Sequence, residues 1–355
     1  MDPGSLIPAA EALPVPWGWF YFFLLLTFIL HLLAMNIMLG SGLIALANHL
    51  RTSAPDQSLS KDISVQLPFA IAFTVNLGVA PLLFLQVLYG QFMYTSSVLM
   101  AVYWLSVVGL VIVAYVCAYV YDFKFQDLGR ARSLFLALAV ACLLLTGFFF
   151  TNNMTMMLSP ERWSGYFQER SGTMLNLSDP TLFPRYLHFV LASIAVAGLY
   201  QAIIWKRRQG KSIPGALQNS RHGLKWFSYA TVLQVLVGVW FLISLPKDIM
   251  LLFMGDSLLY TSSLFVVLTL AILLLYSAWK EKLWITAGLL LAMVTFMAWV
   301  RDLVRSAYLE PYYDISLREV VPQYSPLLVF LLVLLLGLGT VAYMLRLALG
   351  SLKES

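Results

Sequence analysis

The feature that most constrains this chain is a succession of apolar stretches, each close to the ~20 residues an α-helix needs to cross a bilayer core. Nine can be marked out, at about 17–48, 65–90, 96–121, 133–152, 184–205, 226–245, 258–279, 283–304 and 326–347. In hydrocarbon a backbone N–H or C=O finds no water, so such stretches close their hydrogen bonds internally as helices. Composition agrees: of 355 residues, 61% are hydrophobic and 11% charged, against about 25% charged in soluble domains. The expected fold is all-α and polytopic, a single membrane domain over 1–355. Internal repeats and low-complexity tracts are not evident.

Charge predicts the orientation. With the N-terminus outside, the inner segments carry 15 of the 22 Lys and Arg, and the outer segments carry 7. The 17 acids divide the other way, 6 inside and 11 outside. The positive-inside rule then gives an external N-terminus and a cytoplasmic C-terminus. Residues 1–16 contain no Lys or Arg and so lack the positive start of a signal peptide. They are expected to form a short external tail. The net charge of +5 sits mainly in short loops and does not suggest nucleic acid. Cys117 and Cys142 lie mid-segment, so there is no disulfide framework. No CxxCH is present, which excludes haem attached through two thioethers.

Four histidines carry the chemical interest. His31, in TFILHLLAMNIMLG, counts to roughly 18–21 Å below Trp17–Trp19, near mid-membrane. His188, in PRYLHFVLAS, lies about one turn inside the outer boundary. His49 and His222 fall in inner loops and are expected to be solvated. A histidine in lipid needs a partner. It is either a neutral ring bonded to a neighbouring helix or a haem-iron ligand. Met35 and Met38 share the face of His31 and read first as core packing. Met154, Met156 and Met157 either line a pocket or cover one. Arg301, Asp302 and Arg305 end the eighth span. They suit either an Arg–Asp pair at a helix end or recognition of carboxylates such as haem propionates. The polar connections expected include 49–62, a short turn at 91–95, a long outer loop at 153–185, a basic inner loop at 206–225 and a link at 246–257. Prolines 68 and 81 are expected to kink the second span.

Taken together, these residues resemble subunit I of the cytochrome bd quinol oxidases, a nine-span family with an external N-terminus. The stretch FFLLLTFILHLLAMNIMLG is similar to the family's FxxxxxHFLFxxLxLG and puts His31 at its first-span haem position. RYLHFVLASIAVAG is similar to KFVHTxxSGYxxGA and puts His188 at the low-spin haem position. GVAPLLFLQVLYG, Gly78–Gly90, matches a GVATGIPMEFQFG-type stretch in length. The chain departs from the pattern in several places. Gln86 stands where the family has a glutamate. The third span has no glutamate, and Asp302 is off register for the haem-ligating glutamate of the eighth. SLLYTSSLFVVLTL lacks the second-ligand methionine, and the 246–257 link is too short for a quinol-binding loop.

The resemblance implies one or two non-covalent b haems, with His31 and His188 as iron ligands and Arg301, Arg305 and Gln86 as cofactor-binding residues. The lost glutamates point away from oxygen reduction. The function implied is electron transfer in a bacterial cytoplasmic membrane, between the quinone pool and a periplasmic partner such as a multihaem c-type cytochrome. A second membrane subunit is also implied. The outer loop, with Trp163, Tyr166, Phe167 and the acids Glu161, Glu169 and Glu310, is the expected docking surface. A haem-less anchor for a respiratory complex and a genuine quinol-oxidising terminal oxidase are the alternatives. His31 and His188 either serve separate haems or face one another across one; their different expected depths favour separate haems.

Overall fold

The computed structural model describes residues 2–50 and 57–354. Among them, nine helices are long and apolar enough to cross a membrane, and the chain is an all-helical multi-pass membrane protein. The helices are α1 Trp17–Leu50, α2 Gln57–Leu99, α3 Ala101–Phe123, α4 Arg132–Met157, α5 Leu182–Gln209, α6 Ala216–Ser244, the five-residue α7 Lys247–Leu251, α8 Leu258–Trp279, α9 Leu283–Leu309 and α10 Tyr324–Glu354. The face on which α1 begins is called the near face below, and the opposite one the far face.

Several expected boundaries move. The turn at 91–95 does not exist: α2 runs on to Leu99. The hydroxyls of Thr95 and of Ser97 just beyond it donate back into the helix. Thr95 donates to the Gln91 carbonyl at 2.8 Å and Ser97 to that of Met93 at 2.7 Å, the local bonding that lets such residues stay helical. Pro68 and Pro81 lie inside α2, yet the residue outside helical φ/ψ is Tyr89 (φ −130°, ψ 29°). At its other end α2 starts at Gln57, eight residues before the expected 65. The charges it takes in are paired: Lys61 lies 3.1 Å from Asp122, and Asp62 is bonded by Arg208. Residues 51–56 of the expected loop lie outside the described residues. The 206–225 loop shrinks to 210–215, and the 246–257 link is mostly helical.

His49 and His222 are corrected too. His49 belongs to the last turn of α1, and its Nε2 lies 2.9 Å from the Tyr121 hydroxyl of α3. His222 is on α6, and its Nε2 accepts from Trp226 Nε1 at 2.9 Å. Residues 11–16 are not a loose tail. Leu13 bridges Val320 in parallel, and Gln323 N–H donates to the Pro14 carbonyl at 2.7 Å.

Backbone contact fixes the middle of the bundle. A Cβ at Gly40 of α1 would lie 1.9 Å from the Ser193 carbonyl oxygen of α5. At Gly198 of α5 it would lie 2.7 Å from Phe227 N, and at Gly223 of α6 2.6 Å from the Gly198 carbonyl. Small residues let membrane helices approach this closely. The result is a row, α2–α1–α5–α6, with the α3–α4 hairpin and the α8–α9 pair packed alongside. Helix α10 is peripheral and meets the bundle where Phe330 packs edge-on against Phe23 at 5.2 Å.

Gly40→Ala should therefore cost about 1–3 kcal/mol through overpacking. Gly109→Ala on α3, where nothing lies within 4 Å of the added carbon, should stabilise by about 0.5–1 kcal/mol. Thermal unfolding of the two variants in detergent measures the contrast.

Candidate functional site

His31 projects from α1 onto α2. Its Nδ1 is 3.1 Å from the Thr74 carbonyl oxygen. A carbonyl only accepts, so Nδ1 carries the proton and Nε2 keeps its lone pair. Gly78, one turn beyond Thr74, makes room for the ring: a Cβ there would lie 2.8 Å from His31 Cε1. A backbone bond of this kind, fixing tautomer and ring orientation, is what a metal-ligating imidazole requires.

His188 projects from α5 onto α6. Its Nε2 is 3.1 Å from the Gln234 side-chain amide, while Nδ1 is buried without a partner. Gly238 of α6 faces that edge: a Cβ there would meet Cε1 and Nδ1 at 3.5 and 3.6 Å. Gln234 therefore occupies the ring nitrogen that would be the ordinary iron ligand, and His188 fits an iron only if that amide turns away.

The depths of the two histidines differ less than expected. Helices α1 and α5 run parallel and touch where Gly40 meets Ser193 and Ala197. Going back from that contact, His31 lies ~13.5 Å and His188 ~7.5–13.5 Å nearer the near face. The sequence count started from Trp17, but a 34-residue helix is ~51 Å long and overruns a ~30 Å hydrocarbon core. Similar depth does not make them partners. His31 turns to α2 and His188 to α6, on opposite flanks of the α1–α5 pair, so they do not face one another across one group.

Above both histidines lies a buried cationic cluster. Arg305 and Asp302 form an ion pair at 2.9 Å with side chains 6% and 7% exposed. The Arg305 guanidinium sits 4.8 Å from the Tyr89 ring centroid, and that of Arg301 4.5 Å from the Phe28 ring. These two arginines are not snorkelling ends, because α9 continues to Leu309. The third member, Arg185, is one turn before His188, at the end of the expected 153–185 loop. Its guanidinium lies 4.9 Å from the Phe241 ring, and its Nε and one Nη are buried without a partner. Arg185 and Arg305 are the cationic neighbours of Arg301, and Arg301 lies in turn near His31. Three arginines thus face two nearby acids, Asp302 and Asp179. Asp179 is already committed as acceptor to the Thr181 N–H and hydroxyl, both at 2.7 Å. The cluster retains surplus positive charge and open donors, which suits an anionic group with carboxylates.

Other expected residues are placed elsewhere. Gln86 is half-buried on α2, eight residues past Gly78, or ~12 Å along the helix, and does not stand against His31. Met35 and Met38 are buried in the core. Met156 and Met157 pack with Phe92 and Trp163. Trp163 is 2% exposed, and its indole N–H donates to the Met156 carbonyl at 2.9 Å. It therefore cannot serve as a docking residue, whereas Phe167 remains exposed. Arg185, Gln234 and Tyr89 were missed. Only Arg185 had a sequence signal, a charge at the mouth of a span beside a histidine.

Removing the acid of the cluster should be costly. Asp302→Ala leaves the arginines buried and less compensated, and should destabilise by about 3–5 kcal/mol in detergent unfolding. Compared with known proteins, the chain matches no protein-family model, no curated protein and no solved structure.

Proposed function

We propose that this chain is a haem-b-carrying electron-transfer subunit, related to cytochrome bd subunit I, of a bacterial cytoplasmic membrane. In this reading the near face is periplasmic, in line with the excess of Lys and Arg on the far-face segments. The observation that carries the reading is the pairing of His31, its Nε2 lone pair freed by the Thr74 bond, with a buried arginine cluster holding unpaired donors. A b haem would supply reversible one-electron chemistry. His31 would hold the iron, and Arg301, Arg305 and Arg185 would bind the propionate carboxylates, as guanidinium groups do in paired hydrogen bonds. Gly78 and Thr74 orient the ring, and Tyr89 and Phe28 shield the guanidinium groups from water.

Electrons would pass between the quinone pool and a c-type cytochrome docking on the near face. Glu161, Glu169 and Glu310 are exposed there. The Thr173 and Ser171 hydroxyls donate to Glu169 and hold its carboxyl below the usual carboxylate range. Glu169 is therefore charged at neutral pH and stays so further into acid than an unbonded glutamate. A terminal oxidase is the weaker reading, because the acid of the α9 cluster, Asp302, is tied to Arg305 and the family's other glutamates are missing. One observation favours a haem-less anchor: Gln234 satisfies His188 Nε2.

Dithionite reduction of the full chain, purified after expression with ample haem, separates these readings. The expected result is a b-type spectrum that His31→Ala abolishes. Colourless protein with normal folding would leave the anchor reading in its place.

A further inference from the structure

At the far face, away from the histidines, a cavity of about 650 Å³ opens between the α5–α6 turn and the first turns of α6. Gln218, Arg221, His222 and Lys225 line it, at spacings that place them on one face of α6. Helix α6 begins after Gly215, a left-handed residue (φ 75°) with no side-chain cap. Among the described residues the Leu217 and Gln218 N–H groups, both in the cavity wall, have no hydrogen-bond partner. One acid reaches the site: Glu281, from the α8–α9 turn, lies 3.1 Å from Arg221. Lys225 is left with no carboxylate partner among the described residues.

The same face of α6 then changes character. Continuing the helical spacing from Lys225 leads to Tyr229, Val232, Leu236, Val239 and Ile243, each 47–70% exposed. A cationic cavity at the end of a membrane helix thus runs without interruption into an outward apolar stripe on that helix. The stripe from Tyr229 to Val239 is ~15 Å long, half the thickness of a hydrocarbon core.

We propose that this is a binding site for an anionic diacyl phospholipid. The phosphate lies in the cavity against Lys225, Arg221 and the open N–H groups of α6, and the acyl chains lie along the Tyr229–Ile243 stripe. Basic cavities at the ends of membrane helices recognise anionic head groups in this way, and an uncapped helix start adds favourable donors and dipole. The stripe distinguishes a lipid from free phosphate, which has no use for it.

Native mass spectrometry of the full chain in detergent tests the site. The ligands compared are phosphatidylglycerol, phosphatidylcholine with the same chains, and inorganic phosphate. Phosphatidylglycerol should bind in preference to phosphatidylcholine, and excess inorganic phosphate should not displace it. Lys225→Gln should weaken phosphatidylglycerol binding about fivefold, the effect of one interfacial charge. Arg221→Gln with Lys225→Gln should weaken it further, and Lys225→Arg should retain it. Both positions are exposed, so folding should not be at stake, and the unfolding temperature of each variant checks this. Equal binding of the two lipids overturns the proposal, as does an unchanged affinity in Lys225→Gln. Displacement by inorganic phosphate overturns it too and assigns the cavity to a soluble anion.

Discussion

Backbone contact at glycine sets the geometry on which everything else depends. Gly40 brings α1 against the carbonyl of Ser193, and Gly198 and Gly223 bring α5 against α6. No side chain intervenes at these points, so the three helices have little freedom to slide or rotate. That rigidity fixes two consequences at a distance. His31 is turned to α2 and His188 to α6, at nearly the same depth but on opposite flanks. The near-face ends of α1, α5 and α9 converge closely enough for Arg185, Arg301 and Arg305 to share one buried space.

The polar side of the structure is less balanced than its packing. At the far face, where basic residues are in excess, several charges are paired: Lys61 with Asp122, Arg208 with Asp62, Arg221 with Glu281. At the near face the Arg305–Asp302 pair is buried and surrounded by two more guanidinium groups. Burying a charge costs several kcal/mol unless partners compensate it. Aromatic faces at Phe28, Tyr89 and Phe241 compensate in part, since cation–π contacts contribute on the order of 1–2 kcal/mol. The remaining open donors of Arg185 are what give the electron-transfer reading its physical basis. They sit beside two histidines and call for an anionic occupant.

The fold was legible because lipid leaves so few choices: an apolar stretch of sufficient length becomes a helix. Errors arose where tertiary partners decide. Lys61 and Asp62 looked like loop residues because their partners, Asp122 and Arg208, are remote in sequence. Thr95 fell in an expected turn because its back-bonding to the Gln91 carbonyl within a helix leaves no sequence pattern. The site was half legible. His31, His188, Arg301 and Arg305 stood out as polar groups in apolar runs. Thr74 acts through its backbone carbonyl and Gly78 through a missing side chain, so neither announces itself. Gln234 and Tyr89 join the site only through helix packing. Trp163 looked like a surface aromatic because nothing in the sequence shows that its loop folds back onto Met156.

The central claim is that the arginine cluster is built around an anionic cofactor, and Arg185→Leu tests it most directly when the unfolding of haem-supplied and haem-depleted protein is compared. Without haem, removing an incompletely compensated buried charge should leave stability unchanged or raise it. With haem, the same change should destabilise the protein and lower haem retention. An equal loss of stability in both preparations would contradict the account, since Arg185 would then be an ordinary structural residue.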